Sequence, residues 1–211
     1  SAEWPWSAIG RVNRGTGGFC TGTLVGPRHV LTAAHCLFGR GERPVAMDDL
    51  HFVAGYRKGE YLAHSMAREV VLPDDYRPKN ALDAGTMAHD WAIVVLRDDL
   101  PIRPVPVRGS VAPATDAAAL LRAGYSQDRA HLLAVHDGCG VTAVADGGAL
   151  LLHTCDATRG DSGSPMLARE ADGYAVIGID VGAGRSGGDT IGIAVPAGTF
   201  AGTIAEMIGS P

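Results

Sequence analysis

Gly160-Asp161-Ser162-Gly163-Ser164-Pro165 decides how the chain is read. A serine hemmed in by glycines is a poor structural element and a good platform for a nucleophile. Small neighbours let the backbone turn sharply and let a carbonyl approach the Ser162 hydroxyl. They also leave two main-chain N–H groups, those of Gly160 and Ser162, free to point at one oxygen and so stabilise an oxyanion. Such a string also occurs in ordinary loops. Its weight comes from two stretches upstream, Leu31-Thr32-Ala33-Ala34-His35-Cys36 and His89-Asp90-Trp91-Ala92-Ile93-Val94-Val95-Leu96.

A serine hydroxyl needs a base within hydrogen-bond reach, usually a histidine. That histidine needs a carboxylate to fix its tautomer and stabilise its cation. The chain offers these parts in the order His35, Asp90, Ser162. His89 competes with His35 as the base, and Asp83 and Asp98 compete with Asp90. Asp90 is preferred because it opens an apolar strand. The other six histidines read as ordinary surface or core residues. An α/β-hydrolase is disfavoured: its order is Ser, Asp, His, its motif ends in Gly where this chain has Ser164, and its alternating helices are missing here.

With 211 residues the chain suffices for one large domain or two small ones sharing a cleft. Hydrophobic residues make up 46%, enough for a packed core, which argues against global disorder. The net charge of −5 argues against a nucleic-acid partner, which would select a basic face. No apolar run approaches a membrane span. No signal peptide precedes Ser1-Ala2-Glu3-Trp4-Pro5-Trp6, so the expectation is a cytosolic protein or the mature form of an exported one.

Cys20/Cys36 and Cys139/Cys155 repeat one spacing, and neither resembles a zinc site. Four cysteines allow three pairings. The simplest joins each local pair, and four free thiols in a cytosolic protein remain the alternative. Two disulfides would imply secretion or a periplasmic location. Neither a metal nor a cofactor is expected, and a monomer is.

Short apolar stretches recur between Gly, Pro, Asn and Asp, the pattern of an all-β sandwich or barrel. Strands are predicted at Ala8–Val12, Phe19–Val25, His29–Thr32, His51–Ala54, Glu69–Leu72 and Trp91–Leu96. In the second half they are predicted at Ala118–Tyr125, Leu132–Val135, Ala149–Thr154, Tyr174–Val181 and Thr190–Val195. Phe200, Ile204 and Ile208 recur at helical spacing, with Thr199 as a cap and Gly209 as a stop. The prolines of Leu100–Pro113 suit an extended connector between two halves.

Together these motifs resemble the chymotrypsin-like (trypsin-fold) serine proteases, from about Pro5 to the terminal helix. Phe19-Cys20-Thr21-Gly22-Thr23-Leu24-Val25 with Val30–Cys36 is similar to the family's histidine segment, including its disulfide around the histidine. Asp90 with Trp91–Leu96 is similar to the aspartate segment, and Gly160–Pro165 to the serine segment. Ser162-Gly163-Ser164-Pro165 after Cys155-Asp156 looks like the bacterial secreted branch that includes glutamyl endopeptidases. The resemblance implies two antiparallel β-barrels with the active site between them. Residues 1–104 would form the first barrel, carrying His35 and Asp90. Residues 105–211 would form the second, carrying Ser162 and ending in a helix. It implies a serine endopeptidase that acts on a polypeptide through an acyl-enzyme. A binding protein on an inactive protease scaffold and an esterase using the same triad are the alternatives.

Two departures from the family pattern stand out. Relatives begin with an Ile-Val-Gly-Gly-like segment several residues before Pro-Trp, and their free amine pairs with the aspartate at Asp161. Here Pro5-Trp6 follows only four residues, so either the terminus lies upstream or Asp161 is satisfied another way. In the specificity pocket, Asp156 falls at the acidic floor of trypsin-like enzymes and would favour Arg or Lys before the scissile bond. Glutamyl endopeptidases carry Ser or Thr where Ala157 stands and His where Asp180 stands, and Asp180 would repel glutamate. Val181 and Gly182 continue that wall, and the glycines of 182–188 would rim the pocket.

Overall fold

A computed structural model describes residues 2–15, 17–78, 83–109, 120–156, 158, 160–186 and 188–209. In the first half, β1 (Ile9–Arg14), β2 (Phe19–Leu24), β3 (His29–Thr32), β4 (Leu50–Ala54), β5 (Ala63–Val71) and β6 (Ala92–Leu96) form a closed barrel in the order β1-β2-β3-β6-β5-β4. Every ladder in it is antiparallel. Ile9, Leu24, Leu31, Leu50, Phe52, Ile93 and Leu96 fill its interior and are fully buried. Closure leaves no free strand edge, so these short strands hold without long flanking elements.

The second half holds β7 (Leu120–Gly124), β8 (Ala134–Cys139), β9 (Val141–Ala145), β10 (Leu150–His153), β11 (Pro165–Glu170), β12 (Gly173–Ser186) and β13 (Asp189–Pro196). They form one antiparallel sheet in the order β8-β7-β11-β12-β13-β10-β9. Its edge strands β8 and β9 are consecutive in the chain, so the sheet curls until its ends meet at Gly140. A two-way bond between Thr154 and Gly140 and the Cys139–Cys155 disulfide clamp that corner. The other disulfide, Cys20–Cys36, ties β2 to the segment after β3.

Sequence patterning missed β9 and β11. In Val141–Ala145 every residue is at least partly exposed, so no buried alternation marks it. Pro165–Glu170 begins inside the serine motif with a proline, a residue that ordinarily argues against a central strand. The connector behaves as its prolines predict. Val105 N–H donates to Leu24 O of the first barrel, and Val107 bridges in parallel to Val176 of β12. Pro113 lies outside the described residues. A single-turn helix, α1 (Ala84–Met87), precedes the aspartate segment. The terminal helix α2 (Ala201–Gly209) follows a 3₁₀ turn over Ala197–Thr199. Phe200 and Ile204 are buried, while Ile208 stays 40% exposed. Phe200 stacks on Trp91 at 5.9 Å, so the end of the chain packs back on the first half. One continuous core includes residues of both halves.

Candidate active site

His35 sits in a 3₁₀ turn, Ala34–Leu37, directly after β3. Ala33 and Ala34 are completely buried, and their small side chains let the turn fold tightly against the barrel end. Asp90 ends the tight turn after α1, where its N–H donates to Met87 O, and it precedes β6. β3 and β6 pair side by side, which brings the two segments together. Asp90 then receives two bonds from one residue. The His35 backbone N–H donates to Oδ1 at 2.8 Å, and His35 Nδ1 lies 2.7 Å from Oδ2. Asp90 is 1% exposed and the imidazole 30%. Burial disfavours the charged imidazole, but the Asp90 carboxylate outweighs it, and the net direction is above the ordinary histidine range.

The competing residues are engaged elsewhere. Asp98 accepts from Ser65 Oγ, Asp83 accepts from Gly85 N–H, and His89 Nδ1 lies 2.9 Å from Gly85 O.

Ser162 is tied through its backbone to β2 and to the cysteine that follows His35. Thr21 N–H of β2 donates to Ser162 O at 2.9 Å, and Cys36 Sγ lies 3.9 Å from the same oxygen. Thr21 Oγ1 donates to Gly160 O and accepts from Tyr125 N–H, so one threonine stitches the serine loop and the second sheet to the first barrel. No hydrogen bond joins Ser162 Oγ to His35 in this structure; catalytic hydrogen bonds are often long until substrate binds. Among the described residues, the N–H groups of Gly160 and Ser162 have no intramolecular acceptor, whereas those of Asp161, Gly163 and Ser164 all do. Two unpaired amides therefore flank the serine, as an oxyanion site requires.

Gly163 has φ +81°, and a Cβ there would meet Thr21 O at 2.3 Å and Thr32 Oγ1 at 2.4 Å. The left-handed backbone alone costs an L-residue about 1–2 kcal/mol. We expect Gly163→Ala to lower the melting temperature and to displace Ser162, with turnover reduced at least about hundredfold. Thermal denaturation and a rate assay on the same preparation check both effects.

Asp161 is satisfied by residues that the motif reading did not single out. Arg122 Nη1 of β7 lies 2.7 Å from its Oδ1. Ser126 Oγ bonds both carboxylate oxygens, and Thr158 N–H donates to Oδ2. Asp161 and Arg122 are 1% and 3% exposed. An internal guanidinium thus answers the buried Asp161 charge. The signal was present: Arg122 is a lone charge inside the apolar run Leu120–Ala123, and a charge there demands a buried partner.

The expected pocket residues separate. A cavity of about 650 Å³ lies behind the serine loop, with Asp156, Thr158, Asp161, Ala183 and Gly192 in its wall. The Asp156 carboxylate is 92% exposed and lies 3.7 Å from His136 Nδ1. Asp180 and Val181 are buried, and neither they nor Gly182 line this cavity. Gly182 instead faces Met87, whose Cε is 3.2 Å from where a Cβ would stand. Ala157 lies outside the described residues. Among the described residues, the only cluster with metal-ligand geometry is His35 with Cys20 and Cys36. Those two cysteines form a disulfide and offer no thiolate. No described helix is long and apolar enough to cross a membrane.

A closed six-stranded barrel, a second antiparallel sheet and a C-terminal helix define a chymotrypsin-like fold. Residues 20–179 match the trypsin-like peptidase domain, and the chain belongs to that family. A stretch of 102 residues is 32% identical to glucanase inhibitor protein 1 of Phytophthora sojae, covering 47% of this chain and 35% of that protein. The chain therefore spans about a third of the length of the curated relative it matches. In fold it is similar to a thermostable serine protease from an extremophilic microorganism, with a TM-score of 0.75 over 98% of this chain and 99% of that one, at 20% identity.

Proposed function

We propose that the protein is a serine endopeptidase working through an acyl-enzyme. The observation that carries this reading is the doubly bonded His35–Asp90 pair beside a serine loop with two unpaired amides. In this mechanism His35 Nε2 takes the Ser162 proton as Oγ attacks the carbonyl carbon. The Gly160 and Ser162 amides hold the resulting oxyanion. The imidazolium then gives its proton to the leaving amine, and water enters by the same path to release the acid. A polypeptide is the substrate. Beyond Asp180, whose backbone still bonds to Gly163 and Ser164, β12 has no β11 partner among the described residues, so a length of strand edge is open to an extended chain. Arg or Lys before the scissile bond is the expected preference. Asp156 is solvent-exposed, so the discrimination it confers is shallow.

We assign the first unit to residues 1–104 and the second to 105–211, the protein to the bacterial secreted branch, and its working state to a monomer outside the cytoplasm. The two disulfides support an oxidising location.

A fluorophosphonate probe tests the central claim. Stoichiometric labelling of Ser162, lost in Ser162→Ala with the melting temperature retained, is the expected result. A folded wild-type protein that takes up no probe would favour a second reading, a binding protein on a protease scaffold. The partial likeness to a glucanase inhibitor protein motivates that alternative.

A further inference from the structure

The serine loop is held between two strands. Asp180 of β12 bonds to Gly163 and Ser164 on one side, and Thr21 of β2 bonds to Ser162 O on the other. The open edge of β12 adjoins the cavity, since Ala183 is in the cavity wall with Asp156. In the endopeptidase reading this side holds the residues before the scissile bond. A chain laid along that edge and over Ser162 then leaves across the start of β2, where Phe19 stands. Phe19 is partly exposed, and its Cε2 is 3.0 Å from where a Cβ on Gly160 would stand, beside one of the two unpaired amides.

A charged shelf is built out from this ring. Arg11 Cζ of β1 lies over Phe19, 3.9 Å from its centroid, and 4.8 Å from the centroid of Tyr56. Tyr56 is fixed in turn. Its carbonyl accepts from the Tyr125 hydroxyl at 2.7 Å, and its own hydroxyl lies 2.9 Å from His131 Nδ1. What the shelf lacks is an anion. Arg11 is partly buried and has no carboxylate partner among the described residues. Its Nη1 donates to Ala130 O at 3.2 Å, and its Nε is buried with no partner. Burial pushes the guanidinium down from its ordinary value, and the groups that oppose this are Tyr56 and Tyr125. The loops beside it add positive charge. Arg57 and Lys58 follow Tyr56, Arg129 and His131 flank Ala130, and all four are exposed. Lys58 N–H donates to His131 O at 2.9 Å and so joins the two loops. Of the acids on these loops, Asp128 lies 3.7 Å from Arg129 Nε, and Glu60 is exposed at the far end of the Arg57 turn. In a chain of net charge −5 this is a local reversal of sign.

We propose that Arg11 is a specificity-determining residue on the leaving-group side, selecting peptides with Asp or Glu at the first or second position after the scissile bond. The proposal rests on the endopeptidase reading and adds a substrate class to it. A guanidinium already stripped of part of its water gains more from a carboxylate than an exposed one does, and its planar fork matches a carboxylate with two parallel bonds. The Phe19 and Tyr56 rings hold that plane in place. An extended backbone turns successive side chains to opposite faces, so one of the two positions points at the shelf. A cationic side chain there meets like charge and is rejected.

Two series of peptides, identical up to the scissile bond, test this with Glu, Gln or Lys at the first or at the second position after it. In one series wild type should cleave the Glu peptide with kcat/KM about fivefold above the Gln peptide, and the Lys peptide should be slower still. Arg11→Met keeps an unbranched chain over Phe19 and removes the charge, and its Glu-to-Gln ratio should fall to within about twofold of one. Arg11→Lys should restore part of the preference. Each ratio is taken within one protein, so a general loss of turnover cancels. Equal rates for Glu and Gln in both wild-type series, or a Glu preference that survives in Arg11→Met, would overturn the assignment. Binding separates this proposal from the reading beneath it. Intact Glu peptide should bind Ser162→Ala about fivefold more tightly than Gln peptide, with NMR shift changes at Arg11 and Phe19. Failure of the fluorophosphonate probe on wild type would sink the endopeptidase reading, and this binding comparison would still decide whether Arg11 captures an acidic side chain. Equal binding of the two peptides would show that it does not.

Discussion

Asp90→Asn should lower kcat by about 10⁴ while leaving the melting temperature nearly unchanged. The cause is the imidazole tautomer. Asn keeps an oxygen for the His35 backbone N–H, so the turn stays anchored. Its amide nitrogen then faces His35 Nδ1, which sits 2.7 Å from the position of Asp90 Oδ2. A donor facing Nδ1 makes that nitrogen the acceptor and places the imidazole proton on Nε2. A protonated Nε2 cannot accept the Ser162 proton. The same change removes the carboxylate that holds His35 above the ordinary range. Wild-type activity should therefore rise as His35 loses its proton, along a limb above the free-imidazole value near 6.5, and residual activity in the variant should rise at lower pH. Steady-state rates between mildly acidic and mildly basic pH check both statements. A loss under about tenfold would remove Asp90 from the mechanism.

How much of this was legible without coordinates depends on whether a residue advertises its role locally. His35, Asp90 and Ser162 do, because each opens or interrupts a recognisable run, and their order separates this fold from others that use the same groups. The first barrel was legible for the same reason: strands such as Ala92–Leu96 are apolar throughout and bounded by turn residues. β9 and β11 were not, since one is an exposed edge and the other starts at a proline within the motif. Thr21 illustrates the harder case. Its hydroxyl and backbone join the serine loop to the first barrel, yet in sequence it is one of two threonines in β2. Long-range hydrogen bonds leave no periodicity. Asp180 was legible as a residue out of place, but its depth was not: read as pocket wall, it is buried and is not among the residues lining the cavity by the serine loop.

The largest effect on stability is expected at Arg122. Arg122→Met leaves the buried Asp161 carboxylate without its guanidinium partner, and breaking such a pair from one side costs about 3–5 kcal/mol. Ser126 and Thr158 still donate to the carboxylate, so the loop does not lose every tie. They are neutral dipoles, however, and cannot answer a full charge at that depth. Ser164 Oγ also loses a donor 3.2 Å away, which loosens the segment on the other side of the nucleophile. The second change that isolates the charge is Asp161→Asn. In the double variant no unpaired ion remains, and most of the lost stability should return, because replacing both partners of a buried pair is far milder than removing one. Turnover should not return with it. In the proposed mechanism the Gly160 and Ser162 amides hold the oxyanion, the Asp161 carboxylate anchors the loop that carries them, and an anchor made only of neutral bonds would let them drift. Thermal melts of the two single variants and the double, set beside their fluorophosphonate labelling rates, separate the two effects. A single Arg122→Met variant within about 1 kcal/mol of wild type would mean that the ion pair is not what holds the serine loop.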